Sequence, residues 1–323
     1  MRLRCLLEKW WAGWRGSPVK SEDRPTATPP DTGQESERKR EARLLEGFDW
    51  KFYLNFYPDL RQLGITTKRA ARKHWLTFGS AEGRISGPRC ETYLRNLGQL
   101  EQYLESVSAD VPSPPEASAP LINILTRTNL RARFFSENRN SIAGQTYKKF
   151  RHLVSYENEE TYNYLKKYNL PAADLVKVVR GSTGGSHPYN LFVNDMMDCV
   201  SEGWIMFLDD DDLFTTPHAL SIIASHLKDE DSLVIWRTWF PAKTIPATQD
   251  IQQIAPGGIT SCCFAFHSKH KAKGQWHEFR AGDYRCFDQL RQHLQPVFLN
   301  HILAKINRTD RGEGAGEPSD KRA

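Results

Sequence analysis

The sequence predicts an α/β protein: a mostly parallel sheet with helices on both faces, preceded by a small all-α module and flanked by disordered ends. Three observations carry this. From Leu121 onward, short apolar runs alternate with segments of helical periodicity, the order that parallel strands and crossover helices require. One of those runs, Trp204-Ile205-Met206-Phe207-Leu208, ends in four consecutive carboxylates, Asp209 to Asp212. Residues 16–45 and 307–323 are almost free of large apolar side chains and rich in Pro, Ser, Thr, Glu, Lys and Arg, a composition that cannot bury a core.

The 323 residues suggest about two domains, or one domain with appendages. At the start, helical spacing places Leu3, Leu7, Trp10, Trp11 and Trp14 on one side with basic residues near them. Residues 1–15 therefore fit a helix lying in a membrane interface; a short docked helix or a disordered start are the other readings. Glu8-Lys9 interrupts the apolar run that a signal peptide needs, and no run approaches the roughly 18 residues that span a bilayer.

After the polar stretch of residues 1–45, residues 46–107 read as a small helical module. Phe48 to Arg84 is rich in aromatics, with Thr67 capping a helix from Lys68 to Phe78 and Gly79 ending it. Cys90 to Val107 repeats apolar residues at three and four, as a further helix does. Residues 108–119 are a Pro-rich linker.

The α/β domain then occupies residues 120–306. Strands are expected at Leu121 to Thr126, Phe150 to Tyr156, Leu175 to Arg180, Trp204 to Leu208, Leu233 to Phe240 and Ile259 to His267. Helices are expected at Phe134 to Ala143, Glu159 to Tyr168, Tyr189 to Ser201, Pro217 to Leu227 and Tyr284 to His293. The adjacent Cys262 and Cys263 fall on the last of these strands.

The formal charge of +5 is modest, and no aromatic-interleaved basic stripe or zinc-finger spacing is present, so nucleic acid is not an expected partner. Six cysteines contain no CxxC pair and no regular framework, which argues for reduced thiols in a cytoplasmic setting. With the amphipathic start, a peripheral position at the inner membrane face is the expected location.

Four like charges in a row cannot be buried uncompensated, and ligands of open α/β sheets collect at strand C-terminal ends. The acidic run therefore reads as a divalent-metal site. The competing reading is an acidic turn with Asp212 as N-cap of the next helix.

Residues 120–306 resemble the nucleotide-sugar glycosyltransferases of family 2, which have the GT-A (Rossmann-like) fold. The resemblance rests on pieces in sequence order. They are the opening strand Ile122 to Thr128, the segment Ser141-Ile142-Ala143-Gly144-Gln145-Thr146-Tyr147 before the second strand, Asn194 upstream of Gly203-Trp204-Ile205, and Leu208-Asp209-Asp210-Asp211-Asp212, similar to the family's L-D-x-D-D. Residues 46–86 also resemble a small helical module found in some bacterial and viral glycosyltransferases.

The resemblance implies a metal-dependent, inverting transfer of a sugar from a nucleoside diphosphate, with a UDP-sugar as first choice, to a glycan or lipid-linked acceptor. It places Thr126, Arg127, Thr128, Glu157 and Asn194 at the donor, together with Asp209 and Asp210. Ser155-Tyr156-Glu157-Asn158 departs from the family's D-D-x-S, which weakens the base and ribose contacts. Asp209 and Asp211 match the DxD pair for Mg2+ or Mn2+, whose oxygen ligands suit the chemistry of a diphosphate. Asp283, in Gly282-Asp283-Tyr284-Arg285, matches the general base, with Asp288 a second choice; Asp283 also fits a plain N-cap. Gly282 is read as leaving open space for a ligand, and Trp276 and His277 as a surface for a sugar ring. The rival readings are a non-catalytic binding protein of the same fold and a metal-dependent nucleotidyltransferase or phosphohydrolase.

Overall fold

The computed structural model describes residues 32–306, apart from residues 58, 81–83, 88–90, 108–117, 182, 183 and 242. The expectations for residues 1–15 and 307–323 lie outside the described residues. The chain divides into two compact units, residues 1–43 and residues 44–323. Helix α1 (Thr32–Leu45) lies where disorder was expected. Its run of Glu, Arg, Lys, Ala and Leu has high helix propensity, and Gly47 at φ +72° supplies the left-handed residue that ends such a helix.

In the second unit, α2 (Trp50–Phe56) is capped by Asp49, whose carboxylate accepts from the backbone N–H of Lys51 at 2.9 Å and Phe52 at 3.1 Å. The short α3 (Asp59–Gln62) and α4 (Lys68–His74) follow, and α4 runs on into a π turn over Trp75–Gly79. Tyr53, Leu54, Leu60, Ala71 and Trp75 form the buried centre of this module. Helix α5 (Glu91–Ser106) was grouped with the module, yet it packs on the sheet domain. Its Leu100 meets Trp239 and Ile302, and Asn96 exchanges hydrogen bonds with the Pro241 carbonyl and the Trp239 indole.

The sheet domain carries β1 (Ile122–Arg127), α6 (Ala132–Ala143), β2 (Phe150–Tyr156), α7 (Glu159–Leu165), β3 (Leu175–Lys177) and α8 (Leu191–Asp198). Then come β4 (Trp204–Phe207), β5 (Asp212–Phe214), α9 (Ala219–His226), β6 (Ser232–Trp239), β7 (Thr244–Ile245), β8 (Phe264–His267), α10 (Gly282–Leu290) and β9 (Gln295–Ile306). Among the described residues nine strands form one sheet in the order β3-β2-β1-β4-β8-β6-β9-β5, with β7 also on β6. Pairs β1/β2, β1/β4, β2/β3 and β6/β9 are parallel, while β8, β7 and β5 run against their neighbours. The expected fold class, a mostly parallel α/β sheet, is the one found.

Period-two alternation divides the core. Trp204, Met206 and Leu208 join one cluster with residues of α9, whereas Ile205 and Phe207 join the other with residues of α8 and α10. Both faces of the sheet are covered, which is why its strands read as continuous apolar runs.

Three strands went unread in the sequence. β5 holds Asp212 in a strand, paired with Ile306 of β9, so Asp212 does not cap a helix; α9 begins only at Ala219. β9 contains Pro296 and Asn300 and shows no clean alternation, yet it pairs with β6 along its length through a register shift. β7 is a two-residue strand. Ser261–Cys263 form a 3-10 turn rather than strand, so β8 starts at Phe264.

Candidate active site

β1 and β4 run side by side, Leu125 opposite Phe207, so Arg127 and the acidic run emerge at the same sheet edge. The run makes a tight turn in which the Asp212 N–H donates to the Asp209 carbonyl at 2.9 Å. Its carboxylates have different environments. Asp209 sits in a fork from Arg127, with Nε on Oδ1 at 2.9 Å and NH2 on Oδ2 at 2.5 Å. Asp210, 1% exposed, faces Arg131 NH1 at 2.9 Å, and the same guanidinium reaches Asp211 Oδ2 at 3.1 Å. Asp212 is buried beside the Cys262 thiol, whose pKa burial drives well above the ordinary range.

Two arginines thus compensate charges that burial alone would forbid. Burial is the largest single influence on Arg127 and Arg131 and lowers their pKa. The attraction of Asp209 for the first, and of Asp211 and Asp210 for the second, outweighs it, so both remain charged. Burial also raises the Asp210 carboxyl, against the pull of Arg131.

The backbone of the turn is held from behind. Asn138 of α6, fully buried, donates its amide to the carbonyls of Asp209 at 3.0 Å and Asp212 at 2.9 Å, with Leu208 farther off at 3.5 Å. Thr126 donates its hydroxyl to the Leu208 carbonyl at 2.7 Å, so its oxygen accepts from His152 Nε2 at 2.9 Å. That chain assigns the His152 proton to Nε2 and leaves Nδ1 a buried acceptor without a partner. Burial holds the imidazole neutral, its pKa lowered to about 3.

In front of the turn lies a cleft of about 910 Å3, lined among others by Arg127, Asp209, Asp211, Asp212 and Asp283. Asp283 stands in the first turn of α10, and its Oδ1 accepts from the Tyr284 N–H at 2.7 Å. Burial raises the Asp283 pKa, offset in part by that hydrogen bond and by Arg127. Ala281, at φ +59°, occupies the N-cap position, so capping is not the role of Asp283. Asp288, the second choice, is held by Arg291 at 2.5 Å.

The structure brings Arg127, Asp209, Asp211 and Asp283 to one cleft and puts the other expected donor residues elsewhere. Thr126 is fully buried and spent on the strand end. Thr128 bonds the Tyr164 hydroxyl at 2.6 Å and supports Asp210. Glu157 is exposed, hydrogen-bonded to Asn129, and does not line the cleft. Asn194 exchanges both ends of its amide with the Trp276 backbone, at 2.9 and 3.0 Å, which fixes a loop and leaves nothing for a ligand.

Asn190 carries a role that the sequence did not mark. It accepts from Arg127 NH1 at 3.1 Å and donates to the carbonyls of His277 and Phe279 at 3.1 and 2.9 Å. Gly282 is needed for closeness rather than for open space. A Cβ there would lie 2.5 Å from Asn190 Nδ2 and 2.9 Å from the Trp276 ring. Trp276 is 2% exposed, packs on Phe207 and carries the Arg127 guanidinium 5.2 Å from its ring centroid, so it is no open platform for a sugar.

Among the described residues no group of three or more His, Cys, Asp and Glu side chains converges on a metal position. Of the expected pair of metal ligands, Asp209 has both oxygens in the Arg127 fork and Asp211 has one oxygen on Arg131. Asp211 borders the cleft. The oxygen side chains at the cleft suit a hard cation, which Asp211 would hold.

Fold and site together define an α/β protein with a ligand cleft at the C-terminal ends of parallel strands. No family model matches the sequence, and no curated protein matches it. Among solved structures the chain is similar to S. aureus TarS, at 14% identity and a TM-score of 0.43, over 57% of this chain and 36% of that one. TarS 1-349 in complex with UDP-GlcNAc matches at 14% identity and a TM-score of 0.44, over 57% of each chain. The mannosyltransferase PcManGT from Pyrobaculum calidifontis, in complex with GDP-Man and Mn2+, matches at 15% and 0.46, over 68% of this chain and 66% of that one. The chain thus spans little more than a third of the length of the first of these, and at such distance the likeness assigns no residue a role.

Proposed function

We propose that this chain is a glycosyltransferase that moves a sugar from a nucleoside-diphosphate donor to a hydroxyl of a glycan or lipid-linked acceptor, with inversion at the anomeric carbon. The observation that carries the reading is the convergence of Asp283 with Asp211 and Arg127 on one cleft. Asp283 accepts the proton of the acceptor hydroxyl as that oxygen bonds to the anomeric carbon, and the bond from that carbon to the diphosphate breaks on the opposite face. A raised pKa makes Asp283 a stronger base than a solvated carboxylate. Arg127, held by Asn190 and Trp276, fixes Asp209 at the edge of the donor site. Mg2+ or Mn2+ at Asp211 would supply charge stabilisation for the leaving diphosphate. A cytoplasmic enzyme, peripheral at the inner membrane face through residues 1–15, belongs to the same proposal.

UDP-GlcNAc and GDP-Man, the ligands of the similar structures, set the first donors to try. The test measures release of nucleoside diphosphate from a panel of donors with and without Mn2+, in the parent, Asp211→Ala and Asp283→Asn. Donor turnover lost in both variants supports the reading; absence of turnover and of donor binding in the parent overturns it. One observation favours the second reading, a non-catalytic binding protein: the arginine fork on Asp209. Donor binding without turnover in the parent, unchanged in Asp283→Asn, would select it.

A further inference from the structure

The arginines deep in the site are neutralised, but those at its mouth are not. Arg127 and Arg131 face Asp209, Asp210 and Asp211, and Arg291, behind α10, faces Asp288. Arg280 and Arg285 also line the cleft, on either side of Asp283, and both are exposed. Among the described residues neither has a carboxylate partner. Arg285 donates Nε to the Arg280 carbonyl at 3.3 Å and lays its guanidinium 5.4 Å from the Phe279 ring centroid. Phe279 itself is 53% exposed, an uncommon state for a large aromatic.

The backbone here is specialised. Ala281 holds a left-handed conformation, φ +59° and ψ 46°, which is strained for a residue with a Cβ. Asn190 binds the carbonyls of His277 and Phe279 from behind, and the absent side chain of Gly282 lets Asn190 and Trp276 close in. The segment from Phe279 to Arg285 therefore presents an exposed aromatic and two unpaired guanidinium groups around a half-buried carboxylate. Guanidinium forks match phosphate and carboxylate groups, and in a cleft they draw such ligands in.

Resting on the transferase reading, in which Asp283 faces the acceptor, we infer that the acceptor is anionic: a glycan or glycolipid chain with phosphate or carboxylate groups near the hydroxyl that receives the sugar. Arg280 and Arg285 bind that charge and bring the hydroxyl to Asp283. Lys243, across the cleft lining, donates to the Gly257 carbonyl at 2.6 Å and adds a further positive charge.

The test uses the full chain and three probes of similar length: a polyol-phosphate oligomer, an oligogalacturonate and neutral maltohexaose, with binding measured by calorimetry at low and high salt. At least one anionic probe is expected to bind about tenfold tighter than the neutral one, a preference that shrinks as salt screens it. Removing a charged hydrogen bond costs about tenfold or more, so Arg280→Ala/Arg285→Ala should abolish the preference. Arg280→Lys/Arg285→Lys should retain part of it, which excludes a misfolded variant. The phosphate and carboxylate arms identify the anion. Equal binding of all three probes overturns the inference. So does a double-alanine variant that loses UDP-GlcNAc or GDP-Man binding instead, since the arginines would then serve the donor. Failure of the transferase reading has a separate signature: a parent that neither binds nor turns over any donor while its anion preference persists.

Discussion

Asn138→Leu tests the clamp behind the acidic turn. Leu keeps the branched outline of Asn but is bulkier, so the change removes donors, opens no cavity and adds crowding at a fully buried position. The carbonyl of Asp209 keeps the Asp212 N–H, and that of Leu208 keeps Thr126, so the carbonyl most affected is that of Asp212, which accepts at 2.9 Å. A bared buried carbonyl costs about 1–3 kcal/mol, and losing the second bond costs about 1 kcal/mol more. Against this, Asn138 Oδ1 is itself buried without a partner, and its removal returns about 1 kcal/mol. The hydrogen-bond loss is therefore about 1–3 kcal/mol, to which crowding adds, read as a shift of the urea midpoint at unchanged m value. Asn138→Asp keeps the shape but points lone pairs at carbonyl oxygens, so it should fall further. The clamp also sets the turn, so donor affinity should drop in Asn138→Leu under conditions where the variant is fully folded. A variant within about 0.5 kcal/mol of the parent, with unchanged donor affinity, would refute the argument.

Asp283→Asn should abolish transfer, a loss on the order of 100-fold or more, while donor affinity is kept, measured as kcat beside donor Kd. Because burial raises the Asp283 pKa, the acid limb of the parent's rate profile should lie above the ordinary carboxylate range. The same raised folded-state pKa means that stability present at low pH is lost as pH rises through it, so Asp283→Asn should unfold later than the parent at neutral pH in a thermal melt. His152 has the opposite sign for its type: its folded pKa is lowered from 6.5 to about 3, so its stability is intact above 6.5 and is lost as pH falls. At pH 5 that cost is about 2 kcal/mol, and His152→Gln should flatten the parent's acid sensitivity in urea titrations between pH 7 and 5. Gly282→Ala should push Asn190 and Trp276 aside and destabilise by about 1–3 kcal/mol, with weaker donor binding because Asn190 also anchors Arg127.

Elements with strong local periodicity were legible: the alternation from β1 to β4, the apolar run that delivers the acidic turn, and the position of Asp283 opening a helix. The misreadings share a cause. Asp212 looks like a cap because caps are local, whereas its actual setting is a strand pair with Ile306, far along the chain. β9 hides because its register shift and its Pro and Asn residues break the alternation, and only its pairing with β6 makes it a strand. Asn194 attracted attention over Asn190, one turn earlier on the same segment, because both are short polar residues with no local signature. Their difference lies in what they meet: one the Trp276 backbone, the other Arg127 and the loop before Asp283. Asn138 was missed for the same reason. Arg131 is invisible as a partner of Asp210 and Asp211 until the turn after β1 brings them together.

The closing end of β9 lies between β6 and β5, with Ala304 opposite both Thr238 and Phe214. The last of the described strands in chain order is thus the one that zips the acidic turn into place, across a long stretch of chain. Such distant pairings form slowly, and synthesis proceeds from the N-terminus. A nascent chain that already carries every carboxylate of the site still lacks the strand that shapes it. The acidic turn therefore takes its shape only after β9 has paired, late in the order in which the chain is made.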